Sequence, residues 1–245
     1  MRLLSICFLL TGLLPLADFA QPAYYNDTKG EGKALVQDLL VRVPKENTEI
    51  LGLLKLRPSG AEPIEVPVKM TTHLEGDGWS DTYESQAVVG HPAETFMVRH
   101  HGQNPSEYLL QVKSATPNDL APIPPDRLYQ PFAGSDFSFA DLGLEFLHWP
   151  SQQIVKKEMR KGRSCRVVES INPKPAAGAY SRVLSWIDFE TGGIIRAEGY
   201  DTQNRLLKEF SIRKVDRDEG RLKEIEIRND QTDSRTRLEF NLKVD

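Results

Sequence analysis

Hydrophobic and polar residues alternate with a period of two over most of this chain. In the segment 64–74, apolar side chains occupy nearly all even-numbered positions and polar side chains fall between them. The C-terminal segment 237–244 alternates as cleanly, with leucine, phenylalanine and valine on one face and charged or polar residues on the other. This period is typical of β-strands that are buried on one face.

Short clusters of glycine, proline, asparagine, aspartate and histidine separate the alternating segments. They occur at 58–60, 101–105, 161–162, 191–193, 201–204, 218–220 and 229–230. Turn residues at these intervals predict about a dozen short strands joined by short loops, which indicates an antiparallel meander. Strands of this number and spacing favour a barrel or a strongly curved sheet, so the predicted class is mainly β with a few helices (α+β).

Two segments depart from the strand period. In residues 32–43, Leu35, Leu39 and Val43 recur at helical spacing, which predicts an amphipathic helix lying against the sheet. The second segment, 132–150, is unusually rich in phenylalanine. There Ser138 precedes an aspartate by three residues, which is the spacing of a helix-starting capping box.

The second predicted helix presents Leu142, Phe146 and Trp149 along one face and ends at Pro150. Before it lies the proline-rich segment 114–136, whose length is typical of a lid or a binding loop. Neither flank of this segment has enough predicted strands to form a core alone. We therefore predict a single domain over residues 21–245.

Residues 1–20 have the pattern of a secretory signal peptide. A positive charge at Arg2 precedes an apolar stretch at 3–16, and small residues follow near position 20. The apolar stretch is shorter than the ~18–20 residues that span a bilayer. We therefore predict an exported protein that does not itself span the membrane after signal cleavage.

Composition narrows the possible chemistry. The net charge is −4 and the pI is about 5.8, with acidic and basic residues interspersed, which argues against nucleic acid as a partner. With the signal peptide removed, Cys165 is the remaining cysteine, and it is expected to be a small buried hydrophobe. The most basic segment, 156–163, is interpreted as a hairpin tip.

Motifs that would indicate catalysis or a cofactor are absent from the sequence. It contains no GxSxG, P-loop, dinucleotide-binding or HExxH pattern. The adjacent His100 and His101 would point to opposite faces of a strand, which disfavours a shared metal ion. The sequence therefore predicts a protein that is not an enzyme and that uses no cofactor, catalytic residue or metal.

Surplus apolar residues suggest a pocket for a hydrophobic ligand. In residues 183–189 both faces of a predicted strand carry large apolar side chains, so the second face must contact helices, another sheet or a ligand. Pockets for small hydrophobic ligands are mostly apolar with few polar groups. The candidate residues for the cavity or its lid are Phe96, Phe132, Phe137, Phe139, Leu142, Phe146, Trp149 and Trp186. Alternatively, any of these side chains could simply fill the core.

Four stretches together resemble the LolA-like family of outer-membrane lipoprotein-sorting proteins. They are FAGSDFSFADL, CRVVESINP, YSRVLSWIDFETGGIIRAEGYDTQNRLLKEFSI and TRLEFNLKV, and the resemblance is best over residues 132–244. Its most specific parts are the GSDFS element at 134–138 and the tryptophan-containing strand at 180–188. The resemblance implies an antiparallel, strongly curved, unclosed β-barrel with helices over its concave face.

The resemblance also implies a function and a localisation. Members of the family carry lipoprotein acyl chains through the periplasm in an apolar cavity, without a covalent step. It thus implies a periplasmic carrier or chaperone for acyl chains or other lipids, with envelope membrane proteins as further partners. An arginine that bonds to lid carbonyls is part of the family pattern, and Arg42, Arg57 and Arg99 are the candidates. The alternative is an envelope-sensing or protein-binding module without transport activity.

Overall fold

The computed structural model describes residues 30–76, 78–111, 119–216 and 222–240. The α-helices are α1 (Glu31–Leu40) and α2 (Phe139–Leu142), and 3-10 turns cover Pro125–Arg127 and Glu145–His148. The strands are β1 (Thr48–Arg57), β2 (Ile64–Glu75), β3 (Gly78–Ser85), β4 (Thr95–His101), β5 (Asn104–Gln111), β6 (Leu120–Pro122), β7 (Ser151–Arg160), β8 (Arg163–Ile171), β9 (Arg182–Asp188), β10 (Ile194–Tyr200), β11 (Leu206–Val215), β12 (Leu222–Asn229) and β13 (Ser234–Phe240).

All strands of the described residues belong to one curled antiparallel sheet. Its order is β6-β5-β4-β3-β2-β1-β13-β12-β11-β10-β9-β8-β7. Strands β1 to β6 follow one another from the middle of the sheet to one edge. Strands β7 to β13 follow one another from the opposite edge back to the middle, where β13 pairs with β1. Because β6 and β7 are not paired with each other, the barrel is unclosed, and the predicted fold class is confirmed.

The register of the sheet aligns apolar residues in rows across the strands. Leu54 on β1 pairs with Val66 on β2 and with Leu238 on β13, and Leu238 pairs in turn with Ile225 on β12. All four side chains are buried on the face that we call the concave face. The two-residue period of the sequence therefore places its apolar residues on this face, as predicted.

Helix α1 confirms the first predicted helix in most of its length. Leu35 and Val36 are buried, and the helix packs against β7 through Gly32, where a Cβ would lie 2.6 Å from the Cα of Gln153. The predicted end was wrong, because the helix ends at Leu40 and Val43 is exposed beyond it.

The second predicted helix is real but much shorter than predicted. Its capping box is present, since Ser138 Oγ accepts from the backbone N–H of Asp141 and the Asp141 carboxylate accepts from the N–H of Ser138. The helix ends after one turn at Gly143, which lies against the ring of Tyr108, and Leu144 then takes a left-handed conformation (φ 49°). A separate 3-10 turn, Glu145–His148, then leads to Pro150 and β7.

The segment between β6 and β7, residues 123–150, is here called the crossover segment. It carries the chain from one edge of the sheet to the other and packs α2 and its flanking phenylalanines against the concave face. The proline-rich part has more regular structure than predicted, namely β6 and the 3-10 turn Pro125–Arg127.

Several sequence predictions fall outside the described residues. These are the signal peptide at 1–20, the start of the domain up to residue 29, the turn at 218–220 and the last alternating residues after 240. Within the described ranges, no helix is both long and apolar enough to cross a membrane. The tip of the β7–β8 hairpin at Lys161 and Gly162 is confirmed, as is the burial of Cys165.

Candidate functional site: an apolar cavity beneath the crossover segment

A cavity of about 280 Å³ opens between the crossover segment, α1 and strands β9 to β12. Apart from one aspartate and one lysine, its walls are aliphatic and aromatic residues or glycine. The lining residues are Leu39, Asp141, Leu144, Phe146, Leu147, Tyr180, Val183, Ile194, Ala197, Gly199, Lys208, Phe210 and Ile227. A cavity of this composition suits a hydrophobic ligand.

Small residues on β10 leave the space that the cavity occupies. Ala197 and Gly199 alternate on the same face of the strand, and both line the cavity. Gly199 lies against Tyr180, whose ring would be 2.6 Å from a Cβ at that position. Larger side chains at these two positions would project towards the cavity or towards Tyr180.

The crossover segment supplies the opposite wall through its irregular backbone. Leu144 adopts a left-handed conformation at the break after α2, which directs its side chain to the cavity. The 3-10 turn then contributes Phe146 and Leu147, and α1 contributes Leu39. The cavity therefore combines α1, the crossover segment and strands β9 to β12, which are distant from one another in sequence.

The charged residues of the cavity neutralise each other. Lys208 Nζ donates to the Asp141 carboxylate at 3.1 Å and to the backbone oxygen of Asp136 at 2.7 Å. The hydroxyl of Tyr180 donates to the other Asp141 oxygen at 2.8 Å, and burial raises the pKa of Tyr180 well above its ordinary value. Because Asp141 is fully hydrogen-bonded, the pair adds a polar anchor without leaving an unpaired charge in the cavity.

Four of the predicted ligand residues fill the core instead of lining this cavity. Phe96, Phe132, Phe137 and Phe139 are each no more than 2% exposed and pack in one cluster on the concave face. The rings of Phe96 and Phe139 are 4.8 Å apart between centroids. Leu142 packs against the same cluster.

The other predicted residues are divided between two faces of the sheet. Phe146 lines the cavity. The ring of the buried Trp149 is edge-on to the ring of Phe146, with 6.5 Å between the two ring centroids. Trp186 lies elsewhere, because it packs with Cys165 and Val167 on the face of the sheet opposite to the concave face. The alternation of β9 explains this, since Val183 faces the cavity and Trp186 is an odd number of residues away.

The GSDFS element secures the crossover segment to β13. The carboxylate of Asp136 accepts hydrogen bonds from Ser234 Oγ at 2.5 Å and from Thr236 Oγ1 at 2.9 Å. The backbone N–H of Asp136 donates to Thr236 Oγ1 at 2.9 Å. This aspartate therefore connects the crossover segment to the middle of the sheet.

Of the three candidate arginines, Arg42 bonds to backbone carbonyls. Its Nη1 donates to the oxygens of Thr191 and Gly192, each at 3.3 Å, in the turn between β9 and β10. Arg99 instead faces Glu107 at 3.5 Å, and Arg57 is exposed at the end of β1. Arg42 follows α1, so its bonds hold the end of that helix, and not the crossover segment, to the sheet.

Of the thirteen residues that line the cavity, the sequence singled out only Phe146 as a candidate ligand residue. Ala197 and Phe210 are register partners on β10 and β11, a relation that one sequence does not reveal. In the described ranges, no three His, Cys, Asp or Glu side chains are arranged to hold a metal ion.

Comparison with known proteins gives one family match. A family model whose description reads "Uncharacterized protein" matches residues 118–244, slightly more than half of the chain. No curated protein matches the chain.

Three solved structures resemble the chain over most of its length. A DUF1329 family protein from Desulfovibrio piger has a TM-score of 0.69 and 16% identity, with 86% of this chain and 90% of that chain covered. A putative outer membrane lipoprotein-sorting protein domain from Vibrio parahaemolyticus has a TM-score of 0.67 and 19% identity, covering 88% and 94%. A LolA superfamily protein from Nitrosomonas europaea has a TM-score of 0.61 and 12% identity, covering 86% and 91%. At these identities the likeness establishes a shared fold.

Proposed function

We propose that this chain, which belongs to the family of uncharacterized proteins matched over residues 118–244, carries lipid or lipoprotein acyl chains. The ligand would occupy the apolar cavity beneath the crossover segment, and no bond would be made or broken there. The lipoprotein-sorting description of the Vibrio parahaemolyticus domain, which has the same fold, supports an acyl ligand.

The observation that carries this proposal is the cavity itself. Transfer of a hydrocarbon chain from water into this almost wholly apolar space on the concave face is favourable by about 0.8 kcal/mol for each buried methylene. Its volume of about 280 Å³ lies just below the ~300–1,000 Å³ range of small-molecule pockets. This size suits one acyl chain and not a complete triacylated anchor.

The place of action follows from the ligand. A hydrocarbon chain must be shielded from water to move between membranes, so a carrier of this kind acts in an aqueous compartment of the envelope. We place the protein in the periplasm, exported by its N-terminal segment, with lipids or lipoprotein acyl chains as ligands. Envelope membrane proteins would deliver or accept them.

Native mass spectrometry of protein purified from envelope extracts tests this proposal. We expect a population whose added mass corresponds to a lipid or lipopeptide, released by solvent extraction, and uptake of a fluorescent fatty acid by the extracted protein. Protein that contains no lipid and takes up no fatty acid would contradict the carrier function.

One observation favours the protein-binding alternative enough to include it in the same experiment. Met159 is 66% exposed on β7, which is an edge strand of the sheet. Exposed apolar residues on an edge strand are typical of surfaces that pair with another chain. Co-purification of one envelope protein in place of lipid, lost on substitution Met159→Lys, would favour this alternative.

A further inference from the structure

A chain of hydrogen-bonded polar side chains crosses four neighbouring strands. Thr72 Oγ1 on β2 donates to Asp81 Oδ1 on β3 at 2.6 Å, and His100 Nε2 on β4 lies 3.0 Å from Asp81 Oδ2. Ser106 Oγ on β5 lies 3.4 Å from His100 Nδ1. Because the carboxylate can only accept, the proton of His100 is on Nε2, and Nδ1 is left to accept from the Ser106 hydroxyl.

These side chains supply the three groups that activate a hydroxyl nucleophile: the hydroxyl itself, a general base and an acid that orients the base. The serine is bonded to an imidazole, and the imidazole is oriented by a partly buried acid. Trp79 also stacks on His100, with 4.7 Å between ring centroids and 18° between planes, which restricts the rotation of the imidazole. The side chains of His100 and Asp81 are 17% and 27% exposed, so both are largely shielded from solvent.

Ser106 opens onto a groove that is separate from the apolar cavity. The groove has a volume of about 550 Å³, and it shares no lining residue with the cavity. Most of its wall is apolar, including Pro105, Leu109, Pro122, Ile123 and Leu128. A groove of this character would hold the hydrophobic part of a substrate next to the Ser106 hydroxyl.

The 3-10 turn of the crossover segment separates the two spaces. Residues three apart are aligned on a 3-10 turn, so Glu145 and His148 share one side and line the groove. Phe146 and Leu147 line the cavity instead. One turn thus contributes its polar side to the groove and its apolar side to the cavity.

His148 adds a hydrogen-bond donor beside the serine. Its Nε2 lies 3.2 Å from Ser106 Oγ, and it donates there because that hydroxyl already donates to His100. Burial, together with the nearby His100, lowers the pKa of His148, which favours the neutral form of the ring. A donor in this position can stabilise negative charge that develops on a carbonyl oxygen near Ser106.

We propose that this groove is an acyl-transfer site that hydrolyses carboxylic esters with an apolar acyl group. Ser106 Oγ attacks the carbonyl carbon while its proton passes to His100 Nδ1, and Asp81 holds the resulting imidazolium. The carbonyl oxygen receives the hydrogen bond of His148. When the C–O bond breaks, the proton on His100 leaves with the alcohol, and Ser106 carries the acyl group as an ester.

A water molecule then completes the reaction. It gives one proton to His100 Nδ1 and adds its oxygen to the acyl carbon, which releases the carboxylic acid as the proton returns to Ser106 Oγ. The acyl-transfer step does not rest on the carrier function, because a different set of side chains performs it. The sequence motifs did not reveal it, since its residues come from three strands and the crossover segment.

The test is covalent labelling of the full-length protein with a fluorophosphonate probe, followed by peptide mass spectrometry. We expect the label on Ser106, and hydrolysis of p-nitrophenyl butyrate by the unlabelled protein. Ser106→Ala should abolish both. His100→Ala and Asp81→Asn should each slow labelling at least tenfold, since general-base assistance contributes ~10²–10⁴-fold.

Ser181→Ala is the matched control, because Ser181 is also partly buried but bonds to the carbonyl of Tyr200 and to no imidazole. It should label and hydrolyse like the wild type. Circular dichroism and thermal unfolding establish that each variant is folded. An unlabelled Ser106, or equal labelling rates in the folded His100→Ala variant and the wild type, would overturn the proposal.

Discussion

Phe139 shows how a conspicuous aromatic residue can stabilise the fold without touching the cavity. It is 2% exposed and packs against Phe96 and Phe132. We predict that Phe139→Ala lowers the free energy of unfolding by about 3–5 kcal/mol, because it leaves a void in a filled core. Urea unfolding followed by circular dichroism measures this.

Phe189→Ala is the control for that substitution, since Phe189 is 59% exposed. It should lower the free energy of unfolding by no more than about 1 kcal/mol, which is the contribution of its contact with the Arg166 guanidinium 4.6 Å away. At low urea concentration the folded Phe139→Ala protein should still bind a fatty acid with the affinity of the wild type. Loss of binding without loss of stability would instead make Phe139 a ligand residue.

Glu145 and His148 give the protein opposing responses to pH. Burial lowers the pKa of His148, so its contribution to stability is present above the ordinary histidine pKa and is lost as the pH falls below it. Burial raises the pKa of Glu145, so its contribution is present at low pH and is lost as the pH rises through the raised value. The two contributions partly cancel between about pH 5 and pH 7.

We therefore predict opposite effects from two substitutions. Between pH 7 and pH 5, His148→Gln should lose less stability than the wild type, and Glu145→Gln should lose more. Thermal unfolding at a series of pH values measures both. His73→Gln, at an exposed position, should follow the wild-type curve, and parallel curves for all four proteins would refute the assignment.

Single-residue predictions from the sequence were reliable where the chemistry is local. The capping box of Ser138 and Asp141 depends on residues three apart, and the structure contains it. Asp81 and His100 are 19 residues apart, and their contact depends on the pairing of β3 with β4. Lys208 and Asp141 are 67 residues apart, so their contact depends on the path of the crossover segment.

Among the elements, α1 is held to the sheet by a close approach that only glycine allows. Gly32 lies against the backbone of Gln153 and Ile154, and a Cβ there would be 2.6–2.7 Å from backbone atoms. We predict that Gly32→Val displaces α1 while the sheet persists. Hydrogen exchange of peptides covering residues 31–40 should become at least tenfold faster, because the helix loses its packing partner.

Ala34→Val is the matched control, since it adds a branched side chain on the exposed side of the same helix. It should leave exchange in residues 31–40 close to the wild-type rate. Because Leu39 lines the cavity, Gly32→Val should also weaken fatty acid binding. Unchanged exchange in both variants would show that α1 does not depend on this contact.

The elements also show where hydrophobic periodicity fails as a guide. The apolar spacing of Leu142, Phe146 and Trp149 fits a continuous helix, yet the backbone breaks at Gly143 and Leu144. Gly143 lies against the ring of Tyr108 on β5, where a Cβ would be 2.4 Å from the ring, and the sequence of the helix itself does not show this contact. The break separates Leu142, which packs against the filled core, from Phe146, which lines the cavity.

At the scale of the whole molecule, the sheet order makes the crossover segment the central feature. Strands β6 and β7 are consecutive in sequence but lie at opposite edges, so the chain between them must cross the concave face. The alternating pattern predicted the antiparallel curved sheet and its apolar face. It did not locate the cavity, because a cavity is defined by the space that side chains leave unfilled.

Only part of the concave face is open, because the two halves of the sheet face different side chains. The strands β1 to β4 face the phenylalanines of the crossover segment, which fill that half of the core. In the other half, formed by β9 to β12, the small residues Ala197 and Gly199 on β10 leave room for a ligand. The unfilled half is where we propose that an acyl chain binds.

Titration of a fluorescent fatty acid into Ala197→Phe tests whether an acyl chain occupies the cavity. The new ring would occupy the cavity, whereas Leu184→Phe, on the opposite face of the neighbouring strand β9, enlarges a side chain outside it. We predict that Ala197→Phe remains folded and binds at least tenfold more weakly, while Leu184→Phe binds like the wild type. Equal affinity of folded Ala197→Phe and wild-type protein would contradict the claim that the acyl chain occupies this cavity.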